Sequence, residues 1–292
     1  MKTRNPILVA AIVSSFFILH SSFTAHAATT IDAANNDAYG ANVGWMNGRG
    51  DTANGAVIGE YVCSGYIYAA NVGWINLGSG SPTNSIYYQN ISPNDFGVNQ
   101  DGLGNLRGCA WGANIGWVNF EATGAPAVDL YTGNLSGYVW SANCGWISLS
   151  NAVAYVQTDT IQQGLLAPNG LPIAWLLANF GTTNVNANTD PDHDGISNLQ
   201  EYLAGTDPNN AGDCLRITSI HRGLFGDPMR IDIQWTSKPT RFYSIQSRAT
   251  LDAGSVWSDL FLLPWIGADN VGFDDFNGQE FYRVGAFRPL MP

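Results

Sequence analysis

The chain has 292 residues, of which 45% are hydrophobic and 12% charged, with 23 acidic against 12 basic residues and a formal net charge of −11. A surface this acidic repels phosphate, which argues against nucleic acid and anionic membranes as partners. With 33 glycines, 10 tryptophans and ample apolar material, the composition is that of a β-rich, core-forming chain and not of a disordered one.

Residues 1–27 read as a secretory signal. Lys2 and Arg4 supply a positive start, an apolar run extends from Ile7 to about Leu19, and Ala25-His26-Ala27 offers a small-residue cleavage pattern. The run falls short of the roughly 20 residues of a membrane span. A secreted or cell-surface location after cleavage is therefore expected. Cleavage would leave 10 basic residues against 23 acidic ones, a charge of −13, with Lys238 as the one lysine and His193 and His221 as the two histidines. The four cysteines (Cys63, Cys109, Cys144, Cys214) lack metal spacing. They are expected either as buried thiols or with one disulfide, Cys109–Cys144 being the first choice because those two lie in adjacent repeats.

Residues 28–158 hold a repeat. The string Ala-Asn-x-Gly-Trp ends at Trp45, Trp74, Trp117 and Trp146, spaced by 29, 43 and 29 residues. In the last three units a second alternating run precedes it, as in Leu135-Ser136-Gly137-Tyr138-Val139-Trp140. Two short alternating runs around an Asn-containing turn predict a β-hairpin. An upstream run such as Val128 to Tyr131 extends the expected unit to a three-stranded meander. Register decides the faces, because a one-residue slip exchanges them. With Ala142, Asn143 and Cys144 as the loop, Trp140 opposes Trp146. Leu135, Gly137, Val139, Ile147 and Leu149 then form an apolar face, and Ser136, Tyr138, Trp140, Trp146 and Ser148 form the other. The aromatics of that second face either pack over small residues or form a platform for sugar rings or a partner. The module resembles the Gly-Trp-Ile repeat modules of large exported bacterial proteins, most closely from Gly137 to Ile147. That resemblance implies architecture, with no activity attached.

Residues 159–213 read as a linker with a helix over Ile173 to Phe180, started by Pro172 and closed by Gly181. An acidic loop, Asp190 to Glu201, follows. Asp190, Asp192, Asp194 and Asn198 place side-chain oxygens at positions 1, 3, 5 and 9; Gly195 stands at position 6 and Glu201 at 12. This is the order of an EF-hand-type calcium loop, with the Ile196 carbonyl as the position-7 ligand and a helix starting near Ser197. His193, at a non-ligand position, is expected to face solvent. The segment from Asp190 to Tyr202, followed by Gly205 to Pro208, resembles the thrombospondin type 3 and dockerin-like calcium repeats of exported proteins. The resemblance implies structural calcium and adds Asp207 as a further ligand. A dockerin would carry two such loops, and this chain has one complete loop.

In residues 214–292 alternating runs return at Arg216 to Ile220, Met229 to Trp235, Phe242 to Gln246 and Phe281 to Ala286, with turns at Lys238-Pro239-Thr240 and Asn277-Gly278. Six or seven short strands predict a small β-sandwich. From Ile231 to Val284 the segment resembles the fibronectin-type-III-like C-terminal modules that follow such calcium loops, usually spacers or attachment elements. The expected fold class is therefore mainly β, in three parts: hairpin repeat, helical calcium-loop linker and sandwich. Neither histidine stands beside a candidate nucleophile motif, and the Asp274-Asp275/Glu280 cluster reads as a loop. The functional expectation is a non-enzymatic structural or adhesive protein with calcium as its bound ion. The alternative is an extracellular glycan-binding module that uses the aromatic face, with polysaccharide or cell-surface components as partners.

Overall fold

The computed structural model describes residues 29–50, 53–223, 229–252, 254–264, 270–274 and 281–290. The expected signal, the Asn277-Gly278 turn, and Asp275 with Glu280 lie outside the described residues. The chain is mainly β, and no described helix is long and apolar enough to cross a membrane. The described residues form two compact units, 29–187 with 289–290 and 188–288. The segment expected as a single linker, 159–213, is divided between them.

The first unit carries β1 (Ile31–Gly40), β2 (Gly44–Asn47), β3 (Ser64–Ala69), β4 (Gly73–Ser79), β5 (Val98–Gln100) and β6 (Leu106–Gly112). It continues with β7 (Gly116–Phe120), β8 (Ala127–Val128), β9 (Leu135–Ser136), β10 (Tyr138–Ser141), β11 (Gly145–Ser148), β12 (Val156–Thr158) and helix α1 (Ile173–Phe180). The hairpins β1–β2, β3–β4, β6–β7 and β10–β11 pair side by side, and β11 returns to pair with β1. Four repeats thus close an antiparallel barrel, which removes free sheet edges between them. The expected third strand varies between units: β5 pairs with β6 ahead of the third hairpin, whereas the Val128 to Tyr131 run shrinks to the two-residue β8–β9 ladder, Val128 opposite Leu135. The chain turns at Leu130 because Asp129 Oδ1 accepts the N–H groups of Tyr131 and Thr132.

The register is the three-residue loop: Trp140 opposes Trp146, Trp111 opposes Trp117, Tyr68 opposes Trp74 and Tyr39 opposes Trp45. The apolar face points inward, so Leu106, Ala110, Val118, Phe120, Leu135, Val139, Ile147 and Leu149 share one buried core.

Each residue of the repeated string has a place at the barrel end. The x residues Val43, Ile115 and Cys144 are buried and Val72 packs against the same core, so four side chains plug the mouth. They fold back over the last residue before the turn, which must be small. A Cβ on Gly112 would sit 2.7 Å from Ile115 Cγ1, and one on Gly40 2.6 Å from Val43 Cγ2. The equivalent positions are Ala69 and Ser141. The asparagines clamp neighbouring repeats in a ring. Asn71 Nδ2 donates to Val43 O, Asn114 to Val72 O, Asn143 to Ile115 O and Asn42 to Cys144 O, each at 3.0 Å. Each clamp lies over the turn glycine, whose φ of 71–82° favours glycine.

All four cysteines are free thiols. The Cys109–Cys144 disulfide does not form, because Cys109 points outward, its Sγ donating to Asn119 Oδ1 at 3.2 Å, while Cys144 plugs the mouth. Cys63 lines the apolar interior, where burial pushes its thiol up to about 12. The first and last strands of this unit meet at one place. Ile31 pairs with Thr158, Asp159 N–H donates to Thr30 O at 2.8 Å, and Thr158 Oγ1 donates to the same oxygen at 3.0 Å.

The second unit holds helix α2 (Asn198–Ala204) and β13 (Ile217–Arg222), β14 (Arg230–Trp235), β15 (Phe242–Arg248), β16 (Ser258–Pro264), β17 (Asn270–Asp274) and β18 (Phe281–Phe287). They form two three-stranded antiparallel sheets, β13-β14-β17 and β16-β15-β18. Alternate residues of both, among them Ile231, Ile233, Trp235, Tyr243, Ile245 and Val284, meet in one core with Ala204 of α2. That is a small sandwich with α2 packed onto it.

Candidate metal centre and aromatic face

The acidic loop is wound by its own carboxylates. Asp190 Oδ1 accepts the N–H of His193 at 2.8 Å and that of Asp194 at 3.3 Å, and its Oδ2 accepts Gly195 N–H at 2.8 Å. Asp192 Oδ1 accepts Asp194 N–H and Asp194 Oδ1 accepts Ile196 N–H. Gly195 takes a φ of 92°, which makes the bend. Ser197 caps α2, with Gln200 Oε1 accepting its N–H at 2.9 Å in a capping box. The helix then delivers Glu201 to the loop.

Ligand oxygens of Asp190, Asp192 and Asp194 lie within 4.8 Å of one another. Glu201 is 0% exposed, and neither of its oxygens has a hydrogen-bond partner. Asp192 Oδ2 and Asp194 Oδ2 are also buried and unpartnered. Asn198 is fully buried; its Nδ2 donates to Thr189 Oγ1 at 3.1 Å, which fixes the orientation of the amide.

Burial, followed by the charges of Asp192, Asp194, Asp190 and Asp207, pushes Glu201 up to about 8. Burial and Asp194 also raise Asp192. Burial works to raise Asp190, but the N–H donors of Gly195, His193 and Asp194 outweigh it and hold that carboxyl below its usual value. Two basic groups of this unit serve other sites. Lys238 pairs with Asp213 at 2.5 Å, and Arg241 donates to the Leu203 and Tyr202 carbonyls at the C-terminal end of α2.

A buried ionised carboxylate without a partner costs several kcal/mol, on the order expected for unpaired charge in a low-dielectric site. An all-oxygen donor set with inward-facing orphan oxygens fits a hard divalent cation. The structure thus brings together Asp190, Asp192, Asp194 and Glu201, with Asn198 buried beside them and Ile196 buried within the loop. Asp207 is close enough to raise Glu201 but is exposed, and its Oδ1 accepts Asn209 N–H at 3.0 Å. His193 is exposed, at a φ of 64°. Cys214 is the neighbour that sequence reasoning missed: burial, and then the charge of Asp194, raise its thiol. No spacing signal links two residues 20 apart, so only the fold reveals it.

The second candidate surface is the outside of the barrel. Trp45, Trp74, Trp117 and Trp146 are 40–49% exposed. Each leans on the aromatic opposite it, with centroids 4.7–5.1 Å apart and planes at 55–65°. Comparison with protein-family models, with curated proteins and with solved structures finds no match, so this geometry is what bears on function.

Proposed function

We propose that the protein is an exported, non-enzymatic structural or adhesive protein whose acidic loop binds calcium as a structural ion. The observation that carries the reading is Glu201, fully buried with both oxygens unpartnered and facing three clustered aspartates. Asp190, Asp192, Asp194, Asn198 and Glu201 would hold the ion with side-chain oxygens, Ile196 would add its carbonyl, and Asp207 would stand at the periphery. Extracellular loops of this kind bind calcium with dissociation constants on the order of 10⁻⁴ to 10⁻³ M, suited to permanent occupancy outside the cell and not to signalling. Because α2 shares the sandwich core through Ala204, filling the loop would stiffen the unit that contains it. The two three-stranded sheets support the resemblance to fibronectin-type-III-like attachment modules. Both described histidines, His193 and His221, are exposed, which supports a non-enzymatic role.

Calorimetric titration of the EDTA-stripped protein with calcium tests the reading. We expect one site per chain and a rise in the melting temperature of the 188–288 unit in millimolar calcium. Both effects should be lost in Asp192→Ala and Glu201→Ala. An EDTA-insensitive melt with no binding heat would remove the ion from the account.

A further inference from the structure

We propose that the barrel exterior carries four aromatic facets that stack uncharged sugar rings, so that the module binds neutral polysaccharide multivalently. This names the partner class for the adhesive reading above, on which it rests, and is independent of the calcium loop.

The facets follow from register. Two residues beyond each outward tryptophan, on the same face, stand Asn47, Asn76, Asn119 and Ser148. Across the seam to the next hairpin these face an aromatic ring: Asn47 opposes Tyr68, Asn76 opposes Trp111, Asn119 opposes Trp140 and Ser148 opposes Tyr39. Around the barrel the order is therefore ring, ring, polar group, four times over. A hexose has the matching chemistry, with a C–H face that lies on an indole and a hydroxyl rim that seeks amide or hydroxyl partners. Asn76 Oδ1 accepts Gly78 N–H at 2.8 Å and Asn119 Oδ1 accepts the Cys109 thiol at 3.2 Å. Those bonds hold these two amides in place on the ring-bearing face, whereas Asn47 Nδ2 donates to Asp37 Oδ1 at 2.9 Å and the Ser148 hydroxyl donates to Ser150 O, so the Asn76 and Asn119 facets lead.

The rings are also fixed in position. Cζ3 of Trp111 and of Trp140 lies 3.9 Å from where a Cβ on Gly116 or Gly145 would stand, so the first ring rests on the turn glycine and the second leans on the first. Stacking thus needs little further ordering of the side chains. The inward face alone builds the core, so these rings lie outside it. Charge selects the class of ligand. The facets consist of Trp, Tyr, Asn and Ser on a chain of net charge −11, which disfavours uronic or sulfated chains. Asp37, Arg107 and the asparagines interrupt the aromatic surface, whereas a lipid-facing barrel shows a continuous apolar band. Four weak sites on one rigid body give avidity gains of about 10²–10⁴ when a long chain engages several.

The test is affinity electrophoresis of the full chain through gels containing hydroxyethylcellulose, galactomannan, dextran or polygalacturonate. Flotation with phosphatidylcholine/phosphatidylglycerol vesicles runs beside it. We expect retardation by at least one neutral polysaccharide, with a tryptophan fluorescence shift, in EDTA as well as in calcium. Failure of the calcium reading therefore leaves this result standing. Trp74→Ala with Trp117→Ala should weaken retardation at least tenfold and the fourfold Trp→Ala variant should abolish it. The fourfold Trp→Tyr variant should keep part of it, and circular dichroism should confirm that each variant retains the barrel. Retardation by polygalacturonate alone, vesicle flotation without polysaccharide binding, no retardation in any neutral gel, or undiminished retardation of the folded fourfold Trp→Ala variant would each overturn the proposal.

Discussion

The barrel mouth and the acidic loop both hold short turns in one shape, and they do so by opposite means. At the mouth neutral groups answer one another: four asparagine amides meet four carbonyls of neighbouring repeats, and four apolar side chains fill the opening. In the loop, backbone N–H groups are satisfied, but the oxygens of Glu201 and one oxygen each of Asp192 and Asp194 are left over. Neutral hydrogen-bonded closure can be completed by copying a sequence. Closure by clustered charge leaves oxygens unanswered within the chain, and under the calcium reading these are the ones an ion would answer.

The contrast can be broken first at the barrel core. Ile147→Ala should cost about 2–5 kcal/mol in the barrel's unfolding transition, read by denaturant melts, and leave calcium binding unchanged. Millimolar calcium should raise the stability of the 188–288 unit by about 1–3 kcal/mol relative to EDTA and leave the barrel transition in place. Scanning calorimetry separates the two.

A third measurement sharpens the electrostatic half. Glu201 is raised from 4.5 to about 8 in the metal-free fold, so the folded unit holds a proton that the unfolded chain releases. The stability this supplies is complete below about pH 4.5 and declines as pH rises to about 8. The EDTA-treated protein should therefore melt lower at pH 8 than at pH 5.5. Glu201→Gln should flatten that slope, and calcium affinity should strengthen over the same range. The smallest effect belongs to the clamps. Asn114→Ala should lower barrel stability by about 0.5–1.5 kcal/mol, the net worth of one hydrogen bond, with no pH dependence.

The repeated hairpins were legible because two periodicities agreed: alternation chose the faces, and the Asn-x-Gly turn chose the register that segregates Val139 and Ile147 from Trp140 and Trp146. Closure into a barrel was not legible, since the β11–β1 pairing joins residues more than 100 apart and leaves no local trace. The clamp of Asn42 on Cys144 is hidden for the same reason. In the second unit β14, β15 and β18 announced themselves by alternation, whereas β16 and β17 lie in stretches broken by Pro264 and Gly272 that do not alternate cleanly. Helix α1 falls on its expected residues because Pro172 and Gly181 mark both ends. The candidate loop residues were picked out by spacing alone, but the burial of Glu201 depends on how α2 seats on the sandwich, which no spacing encodes.

The shared doorway of the barrel has a mechanical consequence. Tension applied at the N-terminal end of the barrel would arrive at Thr30, whose carbonyl oxygen is held by the Asp159 N–H and the Thr158 hydroxyl. That load would meet the ladder of Ile31 with Thr158 end-on, as a zipper, and would have to open it before reaching Asp37–Gly40, where β1 pairs with β2.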